Sequence, residues 1–321
     1  MSLSLAEAEA LFGAMLDGEL ADDRIAATLT ELAERGETAN EIAGAVQAMR
    51  ARMRPIAAPP GAIDVCGTGG DGQHSLNVST AVALVVAACG VPVAKHGNRA
   101  ASSLAGGADT LEALGLNLAR ASELAEVTLP DLGIAFLFAQ RHHPALARLA
   151  PIRRALGHRT IFNLTGPLAN PAGVTRQLVG VAHPRLIALY RDAMRLLGTE
   201  AALIVSGEEG LDELSIAGPS HIAAVGLERF AGEFAPLDAG LMPHALEDLR
   251  GGDAAFNAAA LRALLLGEPG AYRDAVLLNS AAALIVAGQV DNWFEGVEEA
   301  TEAIDRGLAT GLLDCWIETV Q

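Results

Sequence analysis

The pattern of apolar and polar positions changes character once along the chain, near residue 60. Before that point the chain carries helix start and stop signals: Ser4 with Glu7 and Thr38 with Glu41 have the spacing of a capping box, and Gly36 punctuates between them. Pro55, Pro59 and Pro60 follow; they cannot continue a helix and they stiffen an extended link. Beyond the prolines, short β-branched runs alternate with longer amphipathic segments, the signature of βα units on a mainly parallel sheet. The pattern predicts strands at 62–66, 91–95, 134–138, 177–181 and 202–206. It predicts helices at 79–89, 110–114, 144–156, 184–197, 254–266, 270–286 and 293–310. The fold class expected is α/β, with a small all-helical N-terminal domain over 1–60 and a larger α/β domain over 61–321, its central sheet flanked by helices. The helical domain is open to completion by a returning segment near 163–180.

Composition narrows the partners. Apolar residues make up 51% and aromatics only 4%, so the core must come from Ala, Leu, Val and Ile, which suits helices packed on a sheet. Counting 22 Lys+Arg against 39 Asp+Glu gives −17, which opposes a broad surface for nucleic acid. A small polyanion stays compatible, because a few cations, backbone N–H groups and a metal can form a local positive well. Cys66, Cys89 and Cys315 show no CxxC spacing and fit reduced thiols in a cytoplasm. The first ten residues are acidic where a secretory signal would be basic, so no export is expected. The longest apolar run, 81–94, is interrupted by Gly90 and Pro92 and is shorter than the roughly 20 residues of a membrane span.

Candidate chemistry sits in loops after predicted strands, where helix N-termini offer unpaired N–H groups. Gly67-Thr68-Gly69-Gly70-Asp71-Gly72 follows one strand, and Ser75, Asn77, Val78, Ser79 and Thr80 open the next helix. Glycines let a backbone approach a phosphate closely. The spacing is neither GxGxxG nor GxxxxGK[ST], and the glycines alone read more readily as a turn before a capped helix. Lys95-His96-Gly97-Asn98-Arg99-Ala100-Ala101-Ser102-Ser103 closes the next strand and reaches the same sheet edge, although Lys95 and Arg99 alone read equally well as solvated charges. Asp212 and Glu213 set two carboxylates side by side, either an exposed acidic turn or a pair bridged by magnesium. Arg153 shares an apolar helical stripe with Leu146, Leu149 and Leu156, so its planar fork faces either an internal partner or a bound carboxylate. His142 and His143 lack the further ligands zinc requires.

Taken together, GTGGDG with NVST, KHGNRAASS, HHP, RTIFNLTGPLANPAG, GLDE and LLNSAAALIVAG keep an order and spacing that resembles the anthranilate phosphoribosyltransferase family over nearly the whole chain. The resemblance implies that 5-phosphoribosyl 1-diphosphate is held by Gly67, Gly70, Asp71, Ser75, Asn77 to Thr80, Lys95 to Ser103 and the backbone of Gly107. It implies anthranilate contacts from Gly67, Asn98 and Arg153, with His143 and Pro167 secondary. Ser79, Asp212 and Glu213 would be ligands of magnesium, two ions per chain, and the assembly a homodimer. His96 is a candidate proton acceptor in a minor role. One departure is Gly107, where the family commonly carries serine or alanine, so a side-chain donor is absent. Pyrimidine nucleoside phosphorylase shares the architecture and a similar loop; the KHGNR loop and the Asp-Glu pair oppose it. A non-catalytic nucleic-acid binder on this scaffold is opposed by the charge.

Overall fold

A computed structural model describes residues 2–100 and 104–321. Three helices open the chain, Leu5–Asp17, Asp22–Arg35 and Ala39–Arg50. Both expected capping boxes form: Ser4 and Thr38 accept from the backbone N–H of Glu7 and Glu41, whose carboxylates bond back. Glu41 is fully buried and also accepts from Leu3 N–H at 2.9 Å and from Arg35 at 2.7 Å, which offsets the cost of burying its charge. Phe12, Met15, Ile25, Leu29 and Ile42 pack in one cluster with Leu149, Ile161, Phe162, Leu164 and Leu168. The chain between 161 and 169 thus returns to the helical layer, whereas Arg176–Gly180 is a strand of the sheet.

Seven strands form one sheet in the order β3-β2-β1-β4-β5-β6-β7. They are β1 Ile63–Gly67, β2 Val93–Gly97, β3 Ile134–Phe138, β4 Arg176–Gly180, β5 Ala201–Gly207, β6 Ser220–Val225 and β7 Gly232–Phe234. The first five pair in parallel, and β6 and β7 are antiparallel additions at one edge. The five expected strands are present within about two residues; β6 and β7 were not expected, and β7 is only three residues long. Alternation assigns the two faces. Ile63, Val65, Leu178, Leu203 and Val205 enter the larger core with the C-terminal helices, while Cys66, Val179, Val181, Ala202 and Ile204 face the N-terminal ones.

Two expected helices are broken. The segment expected at 144–156 is a 3-10 run Pro144–Leu149 followed by an α-helix Ala150–Leu156, because Pro151 falls at the start of the second. The helix expected at 293–310 ends at Asp305 and restarts as Leu308–Thr319, since Gly307 adopts a left-handed φ of 71°. Helices Leu118–Glu123 and Ala125–Leu132 were not foreseen. Among the described residues no helix is long and apolar enough to cross a membrane.

Candidate active site

The strand order reverses direction between β1 and β4, and a doubly wound sheet opens a crevice at the carboxyl ends of two such strands. A cleft of about 730 Å³ lies there. One wall is the glycine loop leaving β1, and the floor is the N-terminus of helix Val78–Ala88. The loop leaving β2 forms a second wall, and Asp212 with Glu213 closes the third. Asn77 opens the helix without a side-chain cap; Val78 N–H donates instead to Leu76 O, and the positive end of the helix faces the cleft.

Close approach explains two glycines. A Cβ on Gly67 would fall 2.4 Å from Asp212 Oδ2, and one on Gly180, at the end of β4, would fall 1.6 Å from the Asp212 carbonyl oxygen. Asp212 is thereby laid across the ends of both strands, where its Oδ2 accepts from Gly69 N–H at 2.6 Å. Glu213 accepts from Ser79 N–H at 3.2 Å. Burial is the main force raising both carboxyls above the usual carboxylate range; the charge of Asp71 adds to it at Asp212, and that of Asp212 adds to it at Glu213. The second oxygen of Asp71 is buried with no hydrogen-bond partner among the described residues.

These oxygens fit a hard divalent cation, which would relieve the repulsion and take up the orphaned oxygen. Among the described residues no three His, Cys, Asp or Glu side chains are grouped to enclose an ion. A sparse set of this kind suits magnesium, which usually keeps waters and joins one or two carboxylates to substrate phosphates. Lys95 is no surface charge: it is buried, donating to Val65 O at 2.8 Å and Ser79 Oγ at 3.2 Å, and its charge opposes the upward shift at Glu213. Arg99 is exposed at the cleft but forks onto Asp109 and Glu112.

Residues 59–310 match the a/b domain of a glycosyl transferase family, and residues 1–53 match its helical bundle domain. An anthranilate phosphoribosyltransferase of Novosphingobium aromaticivorans is 65% identical over 320 residues, covering 99% of this chain and 97% of the relative. The chain belongs to the anthranilate phosphoribosyltransferase family. The crystal structure of the Thermus thermophilus anthranilate phosphoribosyltransferase superposes with a TM-score of 0.93 at 43% identity, covering 100% of this chain and 96% of that one. The Saccharomyces cerevisiae enzyme, in complex with PRPP and Mg, has a TM-score of 0.90 at 29% identity, covering 99% and 93%.

The cleft gathers Gly67, Gly70, Asp71, Ser75, Asn77 to Thr80, Lys95 to Ala100, Gly107, Asp212 and Glu213. Ala101, Ser102 and Ser103 lie outside the described residues. Asn77 has its amide engaged by Ala105 O at 3.2 Å and by Asn257 at 2.9 Å, so it braces the loops around the site. At Gly107 a Cβ would sit 2.8 Å from Thr80 Oγ1, so in this chain the buried threonine occupies the space a side chain would need. Arg153, His143 and Pro167 do not line the cleft. Arg153 stands behind it, donating to Asn163 Oδ1 at 3.3 Å, and Asn163 does line it. The Nε of Arg153 is buried without a partner among the described residues.

Arg159, Asn163 and Phe136 line the cleft and were missed by sequence reasoning. The first two lie in the RTIFN segment, which carries part of the family resemblance but gave neither residue a role. His96 lines the cleft while its Nδ1 faces Gly166 O at 3.0 Å, and its ring lies 5.2 Å from that of His143. Burial and the neighbouring histidine pull His96 down to about 3, and burial pulls His143 down to about 4. Both are neutral at pH 7, and His96 is a weak base. Their stabilising contribution is full above the unfolded value near 6.5 and is lost as pH falls towards those lowered values. The substitution His143→Gln, which can keep a donor towards Ala169 O, is expected to flatten the pH dependence of stability between about pH 6.5 and 4.5. Urea melts at stepped pH check this; parallel curves for variant and wild type would refute it.

Proposed function

We infer that the chain transfers the 5-phosphoribosyl group of 5-phosphoribosyl 1-diphosphate to the amine of anthranilate, giving N-(5-phosphoribosyl)anthranilate and diphosphate. The observation that carries this reading is the glycine loop laid against half-buried Asp212 and buried Glu213 at the switch point of the sheet. Ser79, Asp212 and Glu213 would hold magnesium, two ions per chain, which when bound supplies positive charge to the departing diphosphate. The positive N-terminal end of helix Val78–Ala88 and the Lys95 ammonium favour the anionic end of the sugar phosphate. Positioning is then most of the task, because an aromatic amine is neutral at pH 7 and attacks without a dedicated base. Gly67 and Asn98 border the acceptor end.

For Arg153, the Nε, without a partner among the described residues, suits the anthranilate carboxylate, with His143 and Pro167 as secondary contacts. Arg153→Ala is expected to raise KM for anthranilate by about tenfold or more while KM for the sugar diphosphate stays within about twofold. Steady-state kinetics with each substrate varied test it; equal shifts would refute a carboxylate clamp. The reaction as a whole is tested by the loss of anthranilate fluorescence on adding 5-phosphoribosyl 1-diphosphate and magnesium, and unchanged fluorescence at micromolar enzyme would overturn the reading. A homodimer in the cytoplasm completes the proposal.

A further inference from the structure

The geometry points to Arg159 as a further phosphate-binding residue, one that also positions the glycine loop. This rests on the reading of the cleft as a site for a sugar diphosphate. Three described cations line the cleft, Lys95, Arg99 and Arg159. Lys95 is buried beneath Ser79, and Arg99 is neutralised by Asp109 and Glu112. Among the described residues no ion pair involves Arg159, and Glu37 of the helical layer feels its charge only from beyond ion-pair distance. Its Nη1 donates to the Gly70 carbonyl at 3.3 Å. The rest of the guanidinium, with several more donors, stays exposed beside the loop.

The loop is held from two directions. Asp212 accepts from Gly69 N–H, and Arg159 donates to the carbonyl of the next residue, Gly70. Gly70 has a left-handed φ of 71°, and a Cβ there would fall 2.9 Å from Arg159 Nη1, so the absence of a side chain admits the guanidinium. The backbone carrying Arg159 is itself anchored. Gly157 ends helix Ala150–Leu156 in a left-handed conformation, His158 Nδ1 lies 2.8 Å from Arg159 O, and Thr160 N–H donates to Asn163 Oδ1 at 3.0 Å. The cleft already holds three carboxylates, Asp71, Asp212 and Glu213, so an anionic ligand gains from an uncompensated cation at its rim. A planar fork beside a phosphate-sized loop matches phosphate oxygens, and its place next to Gly70 assigns it to the diphosphate end.

The test titrates inorganic diphosphate with magnesium into wild type, Arg159→Ala and Arg159→Lys by calorimetry, alongside steady-state kinetics. Expected for Arg159→Ala is a loss of diphosphate affinity and a rise in KM for the sugar diphosphate, each of about tenfold to a hundredfold, with KM for anthranilate within about twofold. Arg159→Lys should recover part of the binding, which a purely structural role would not do. Unchanged diphosphate affinity in Arg159→Ala, or a rise confined to the KM for anthranilate, would overturn the assignment. If the wild type binds diphosphate yet transfers nothing to anthranilate, the functional reading fails while the titration still decides the role of Arg159.

Discussion

Asp212→Asn combined with Glu213→Gln is expected to cost at least about a thousandfold in magnesium-dependent turnover, the size that follows from withdrawing several kcal/mol of charge stabilisation. The same double variant is expected to melt no lower than wild type in magnesium-free buffer. Burial and mutual repulsion disfavour the charged carboxylates, and neutral isosteres remove that cost while their amide oxygens still accept from Gly69 and Ser79. Added magnesium should raise the melting temperature of wild type and leave the variant unmoved. Thermal melts with and without the ion, read beside turnover, separate the two effects. Undiminished turnover in the double variant would remove both residues from the metal site.

Gly180→Ala is the second large effect, and it acts through backbone rather than charge. The new Cβ would meet the Asp212 carbonyl oxygen at 1.6 Å, and neither atom belongs to a side chain that can rotate away. Relief requires the chain carrying Asp212 and Glu213 to lift from the end of β4. A displacement of about 1 Å at a catalytic group costs on the order of a hundredfold in rate, so turnover should fall by about that factor. Overpacking of this kind also costs about 1–3 kcal/mol of stability, which a lower urea midpoint would register. A variant with wild-type turnover would show that this close approach does not set the geometry of the site.

Arg153 and Arg159 separate what a pattern can reveal from what it cannot. Arg153 stood out because an arginine interrupting an apolar stripe demands a partner, and among the described residues its Nε has none. The stripe itself is not one continuous helix, since the 3-10 run before Ala150 shifts its phase. Arg159 carried no such signal, because an arginine after a helix-ending glycine looks like any exposed loop residue. Only the fold sets it against Gly70, 89 positions away in sequence. Lys95 shows the same limit: at the end of a strand it reads equally well as a solvated charge or a ligand, and burial beneath Ser79 is a property of the packed sheet.

The sequence by itself determined the helical start, the proline link, the five parallel strands, the glycine loop and the adjacent carboxylates, because these follow from local periodicity, caps and turn chemistry. Tertiary structure decided the rest. It chose which strand ends meet at the crevice, why Gly67 and Gly180 must lack side chains, which cations keep a free charge, and where the antiparallel edge is added. Those outcomes depend on distances between residues far apart in the chain, and no local pattern encodes them until the sheet is assembled.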